Sequence, residues 1–262
     1  MTESTSARMP VVFAGHGSPM NAINDSAFTR GWRRVGESLP RPRAILAISA
    51  HWFAPMTAVN DEAKPRQVYD MYGFPRELYQ LTYPAPGAPG LAARVRELLG
   101  TRATVDDEWG IDHGTWAVLA HMLPSADVPL TQLSVNSALS PRQHLELGRA
   151  LAPLRDEGVL ILASGNTVHN LGEVEWDNPG GSAAAVRFSD RVRDLVVAHD
   201  AQGVLTAMES DPDAPYAIPT PDHFLPLLYA LGASDDSDKV EVYNDGCELG
   251  SMSMTGFVFR AS

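Results

Sequence analysis

Six short runs constrain this chain more than any other feature: Val11–Gly15, Ala44–Ala50, Val128–Val135, Val159–Ala163, Val240–Tyr243 and Thr255–Phe259. They are rich in Val, Ile and Leu, and several, such as VVFAG and VLILA, are apolar throughout. A strand with no polar side must be covered on both faces, as in an α/β sandwich. The intervening segments supply the cover. Leu91–Leu99 sets Leu91, Val95, Leu98 and Leu99 on one helical face, with Gly100 as its stop. Pro141–Asp156 aligns Leu147, Ala150, Leu151 and Leu154, with Pro153 an early terminator. Ala183–Ala198 aligns Phe188, Val192, Leu195 and Val196. Thr115–Leu123 reads as helical, and Pro221–Leu231 as a short helix whose start Pro226 delays. Strands alternating with helices predict an α/β fold: a single domain whose mixed, largely parallel central sheet is flanked by helices.

A chain of 262 residues is long enough for one such domain, and no repeat or low-complexity linker marks a boundary. The Pro/Gly-rich patches Tyr83–Gly90 and Pro179–Ser182 read as loops. The opening MTESTSARMP is polar and lacks the apolar core of a secretory signal, so residues 1–9 are expected to form a flexible tail ahead of a domain at 10–262. No run approaches the roughly 18 apolar residues of a membrane span. With 20 basic and 32 acidic residues the net charge is −12, which repels a phosphate backbone; neither nucleic acid nor membrane is an expected partner. Cys247 is the single cysteine. It excludes an intrachain disulfide and a Cys-cluster metal site, and fits a cytoplasmic protein. Any metal must be held mainly by histidines and carboxylates.

In open α/β sheets ligands collect beyond the carboxyl ends of the strands. VVFAGHGSPM places His16 there, RAILAISAHWF places His51 there, and VLILASGNTVHN carries His169 a little further on. GHGSPM is neither a dinucleotide fingerprint, since Met20 stands where a third glycine is needed, nor a nucleophile elbow, since Pro19 and Met20 follow Ser18. Its glycines allow a tight turn and a close approach. Of the eight histidines, His121, His144 and His199 fall in helical segments and read as packed or surface residues. His16, His51, His113, His169 and His223 each stand at a turn or an element's end, beside Gly, Asn, Asp or Trp. Thr220 as N-cap and Pro221 at the first position put His223 in the first turn of a helix. One ligand from a helix start, facing two from strand ends, makes a facial metal site with positions left open for substrate and water.

The blocks GHGSPMNAI, ISAHWF, YGFPRELYQLTYPAPG, WGIDHGTW, ASGNTVHNL, PTPDHFLPLLYALGA and LGSMSM run in order over nearly the whole chain. Together they resemble the 4,5-DOPA extradiol dioxygenase family, within the class III extradiol ring-cleaving dioxygenases and similar to the catalytic subunit of protocatechuate 4,5-dioxygenase. The resemblance implies one divalent metal per chain, Zn(II) or non-haem Fe(II), held by His16, His51 and His223. It implies His169 as a base or a further metal neighbour, and His113 as a second pocket histidine that stabilises developing negative charge. The implied partners are a small-molecule catechol such as L-DOPA and O₂, giving a ring-opened semialdehyde, in a monomer or homo-oligomer. His223 stands where the wider class has a carboxylate, and an all-histidine set suits zinc as well as iron. A zinc-dependent hydrolase with His169 as proton shuttle, or a non-catalytic metal- or peptide-binding module, therefore stays open. Trp52, Phe53, Trp109, Trp116 and Tyr72 lie near the candidate loops, where they either wall an aromatic pocket or pack in the core.

Overall fold

Residues of both parities in the strands are apolar because both faces of the sheet are covered. A computed structural model describes residues 8–262. In chain order it contains β1 (Val11–Gly15), α1 (Ala27–Ser38), β2 (Ala44–Ala54), β3 (Ala58–Val59), α2 (Pro89–Leu99) and β4 (Thr104–Val105). Next come α3 (His113–Met122), β5 (Leu130–Asn136), α4 (Pro141–Leu151), β6 (Val159–Gly165), α5 (Ala183–Val197), α6 (Ala201–Ser210) and α7 (Ala214–Ala217). The chain ends with α8 (Leu225–Ala233), β7 (Lys239–Tyr243), β8 (Cys247–Glu248), β9 (Met252–Ser253) and β10 (Gly256–Arg260). Eight strands form one sheet in the order β4-β3-β5-β2-β6-β1-β10-β7. The pairs β5–β2, β2–β6, β6–β1 and β3–β4 are parallel; β10 runs antiparallel to β1 and β7, and β3 to β5. This is the single-domain α/β sandwich that the alternating pattern predicts.

Side chains alternate across a strand, so each strand serves two cores. Val11, Phe13, Ile161 and Ala163 pack with residues of α2, α4, α5, α6 and α8 on one face. Val12, Ala14, Leu160 and Leu162 pack with Trp32 of α1 and Trp116 and Leu119 of α3 on the other. Among the described residues, no helix is long and apolar enough to cross a membrane.

Several boundaries differ from the expected ones for local reasons. Residues 1–7 of the expected tail lie outside the described residues, but Met9 belongs to the core. It is 2% exposed, its amide donates to Arg155 O at 3.0 Å, and its carbonyl accepts from Arg155 Nε at 2.8 Å. β2 does not stop at Ala50; it continues through His51 to Ala54, with a register shift against β5 between Ile48 and Phe53. α4 ends at Leu151, where Pro153 turns the chain into a 3₁₀ turn. α8 starts at Leu225 with Pro226 in its first turn, leaving His223 in the preceding turn. His199 lies beyond α5 with φ +56°, not on the helix.

His144 is fully buried, its Nδ1 3.1 Å from the hydroxyl of Tyr229, and burial holds its pKa at about 4. The unfolded chain therefore takes up a proton on this ring that the folded chain refuses. Stability is expected to be full above the ordinary histidine range, near 6.5, and to fall as the pH drops toward 4, by on the order of 3 kcal/mol for this ring. Urea midpoints of the metal-free protein between pH 7.5 and 4.5 measure the slope, and His144→Gln should flatten it.

Candidate active site

The parallel strands β1, β2 and β6 deliver their carboxyl ends to one place, as the topology rule for open sheets requires. His16 follows β1 directly, and its amide donates to Gly165 O at the end of β6 at 3.1 Å. His51 sits in the irregular stretch of β2, and such bulges re-aim a side chain. His223 is fixed from below: a Cβ on Gly165 would lie 2.2 Å from its carbonyl oxygen, which instead accepts from Asn166 N at 2.8 Å. Gly165 is thus the residue that lets the α8 turn sit on β6. His113 is the first residue of α3. Its N-cap, Asp112, is wholly buried and accepts from Thr115 N, Ser49 Oγ, Trp109 Nε1 and Gln132 Nε2.

The groups that face Nδ1 set which nitrogen each ring presents. Ser164 Oγ spends its proton on Gly114 O at 2.5 Å, so it must accept from His16 Nδ1 at 3.0 Å. His51 Nδ1 faces Asp70 Oδ2 at 3.0 Å, and His113 Nδ1 faces Asp70 Oδ1 at 3.0 Å. His223 Nδ1 is paired with Asp222 Oδ2. Carboxylates only accept, so these Nδ1 atoms carry the protons and the Nε2 atoms carry lone pairs. Nε2 of His16 and of His51 then face each other 3.1 Å apart. That contact holds either a proton shared between the two nitrogens or a metal ion. His223 Nε2 is buried with no hydrogen-bond partner, a cost of about 1–3 kcal/mol that a ligand relieves. Anchoring Nδ1 by an outer carboxylate or hydroxyl while Nε2 stays free is the usual dress of a metal-binding histidine.

The ring centroids of His16 lie 4.9 Å from His51, 5.2 Å from His223 and 5.8 Å from His113. Those of His51 lie 3.9 Å from His113 and 5.0 Å from His223. One ring nitrogen from each of His16, His51 and His113 falls within 4.8 Å of the others. His169 lies flat on His223, with centroids 3.5 Å apart and planes 4° apart. Lone pairs in parallel planes do not converge, so the stacked rings of His223 and His169 would not both hold one ion. All five histidines singled out in the sequence are brought together, but the set with nitrogens within 4.8 Å of one another is His16, His51 and His113, with His223 and His169 stacked beside it rather than the expected His16, His51 and His223. His121 and His144 are hydrogen-bonded elsewhere. Trp116 is core, its ring edge-on to His113, while Tyr72 is 93% exposed.

Burial, with the neighbouring imidazoles, pushes the pKa values of His16 and His223 well below the ordinary range, so both rings are neutral and ready to ligate. Burial takes His169 down to about 4 and also lowers His113. His51 differs: burial lowers it, but its hydrogen bond to Asp70 and the charges of Asp112, Asp70 and Asp222 outweigh that and raise it. Asp70, raised by burial, is brought down well below the carboxylate range by the hydrogen bonds from His113 and His51. Sequence reasoning missed Asp70, Ser164 and Asp222 as anchors. The two Asp-His dipeptides, at 112–113 and 222–223, were the available signal.

Over residues 9–260 the chain matches the family described as the catalytic LigB subunit of aromatic ring-opening dioxygenase. It is 45% identical over 261 residues to 4,5-DOPA dioxygenase extradiol of Escherichia coli K12, covering 95% of this chain and 94% of that one. The protein of the same name from Beta vulgaris is 38% identical over 258 residues, covering 95% and 96%. The crystal structure of an uncharacterized protein from Escherichia coli K12 superimposes with a TM-score of 0.83 at 41% identity, over 96% of this chain and 99% of that one. The chain is an extradiol dioxygenase and belongs to the LigB family of aromatic ring-opening dioxygenases.

Proposed function

We propose that the chain opens the ring of a catechol with O₂, using one divalent metal held by Nε2 of His16, His51 and His223. The observation that carries this reading is the pair of Nε2 atoms 3.1 Å apart, with His16 Nδ1 bonded to Ser164 and His51 Nδ1 facing Asp70. The name that the relatives bear, 4,5-DOPA dioxygenase extradiol, supports a catechol such as L-DOPA as the substrate. A redox-active ion such as Fe(II) supplies the path by which electron density passes from catechol to O₂; Zn(II), which the same nitrogens suit, does not.

The chain's own residues do the rest. Asp70 holds His51 and His113 through its two oxygens, so ligand and pocket histidine keep a fixed spacing. Ser164 and Asp222 do the same for His16 and His223. His169, neutral because burial depresses its pKa to about 4, accepts a catechol proton and returns it to a leaving oxygen. His113, its Nδ1–H turned to the Asp70 carboxylate, offers Nε2 as an acceptor for a hydroxyl of the substrate.

The test is oxygen uptake. The protein is stripped of metal, reconstituted anaerobically with Fe(II) or Zn(II), and given L-DOPA and a panel of catechols. Uptake with iron alone, matched by a coloured semialdehyde, is expected. No uptake with confirmed iron occupancy overturns the reading, and turnover of ester or amide substrates by the zinc form would replace it with hydrolysis.

A further inference from the structure

One acidic side chain at the site has no role in the chemistry above. Glu248 lies in β8, where it pairs with Met252 of β9, and Met252 is bridged in turn to His169. Directly opposed residues of antiparallel strands point to the same face. His169, Met252 and Glu248 therefore form a row across neighbouring strands, each step about 4.8 Å. The face they share is the one on which His169 stacks against His223.

A second observation leads to the same spot from the other side. Asn21 Nδ2 donates to His16 O at 3.2 Å and to Glu248 Oε1 at 3.3 Å. A Cβ on Gly17, whose φ is +58°, would lie 2.6 Å from Glu248 Oε1. The carboxylate therefore reaches the His16 turn and occupies the space that a glycine leaves there.

This carboxylate is half-buried, yet among the described residues it forms no ion pair; its partners are the neutral Asn21 side chain and the Ser18 backbone. Burial pushes its carboxyl up, against the pull of those two donors. The other carboxylates beside the histidines already face partners: Asp70 lies 3.0 Å from Nδ1 of both His51 and His113, Asp222 is paired with His223, and Asp112 with neutral donors. A desolvated carboxylate with neutral neighbours is relieved by an incoming cation.

We propose that Glu248 is a specificity-determining residue, receiving the ammonium group on the side chain of a catechol amine or catechol amino acid whose ring oxygens lie at the histidine cluster. The assignment rests on the catechol reading. It makes a cationic side chain, not the ring alone, part of what the site selects.

The experiment compares dopamine with 4-ethylcatechol, which keeps the ring and two-carbon chain but lacks the ammonium. Anaerobic titration calorimetry gives Kd for each with wild type, Glu248→Gln and Glu248→Asp. Wild type is expected to favour dopamine by about tenfold or more, the scale of a charge-assisted hydrogen bond. Glu248→Gln should bring the ratio near unity, and Glu248→Asp should keep part of it. A wild-type ratio near unity overturns the proposal. So does a ratio that survives in Glu248→Gln, even if both ligands weaken, because Glu248 then only braces the His16 turn. Should Glu248→Gln fail to fold, a ratio in Glu248→Asp equal to that of wild type also overturns it. If wild type binds neither catechol, the catechol reading fails and this assignment with it; if both bind without preference, only this assignment fails.

Discussion

Substitution of His223 by alanine is expected to lower metal affinity by more than the roughly 10–100-fold that loss of an outer-shell partner costs. Catechol-dependent oxygen uptake should vanish with it. His113→Ala, by contrast, should keep its metal and lose turnover. The distinction rests on which atom each ring leaves unsatisfied. On His223 it is Nε2, the nitrogen turned away from Asp222 and sealed from water. On His113 it is Nδ1, which faces Asp70 without a well-directed bond. A metal needs the first kind of nitrogen. Metal content after dialysis, with anaerobic Fe(II) titration, measures both variants. Loss of metal from His113→Ala and its retention by His223→Ala would move the third ligand to His113, whose nitrogen lies within 4.8 Å of those of His16 and His51. His169→Ala belongs with the turnover group, because its ring stacks on His223 instead of converging with it.

The histidines were legible because strand ends carry their own signal. An apolar run that stops at GHG or AHW marks both the strand and the point where it surfaces. The anchors were not, because nothing local announces them. Asp70 sits in a loop with no fixed spacing to His51 or His113, and only the fold sets it between them. The apolar run of β2 predicts an end at Ala50 because a histidine interrupts it, whereas the strand continues through an irregular register. α1 escaped notice for a related reason. Its sequence AFTRGWRRVGES holds two glycines, which helix propensity penalises by about 1 kcal/mol each. Packing overrides that preference. A Cβ on Gly31 would lie 1.8 Å from Asn244 Oδ1, and one on Gly36 would lie 1.8 Å from Met122 O. The glycines let α1 settle against the end of α3 and the turn after β7. A single chain read locally sees two helix breakers and cannot see the neighbours that require them. The small strands β8 and β9, two residues each, carry no periodicity at all, yet they place Glu248.

Asp238→Asn is expected to destabilise the protein by about 3–5 kcal/mol, the cost of leaving one partner of a buried ion pair uncompensated. Arg155 is fully buried and gives two parallel bonds to Asp238, Nη1 to Oδ2 at 2.7 Å and Nη2 to Oδ1 at 3.0 Å. Two further donors are engaged, Nε on Met9 O at 2.8 Å and the second N–H of Nη1 on Ala233 O at 3.2 Å. Asp238 Oδ2 accepts a further bond from Asp235 N at 2.9 Å. One guanidinium thus joins the segment entering β1, the turn after α4, the last carbonyl of α8 and the approach to β7. The amide of asparagine keeps the shape but removes the charge, so the arginine stays dry and unpaired. Arg155→Lys should also fall well short of wild type, since an ammonium cannot give the forked pair. Urea unfolding of the metal-free variants, with midpoint and slope compared to wild type, measures the loss. Metal affinity should be unchanged, because no bond of this cluster touches the histidines. The exposed pair Arg187–Asp213, whose arginine is 62% exposed, is the control: breaking it should leave the midpoint where it was. Equal, small shifts in both would show that water reaches Arg155 in solution and that the four segments are held by their apolar contacts alone.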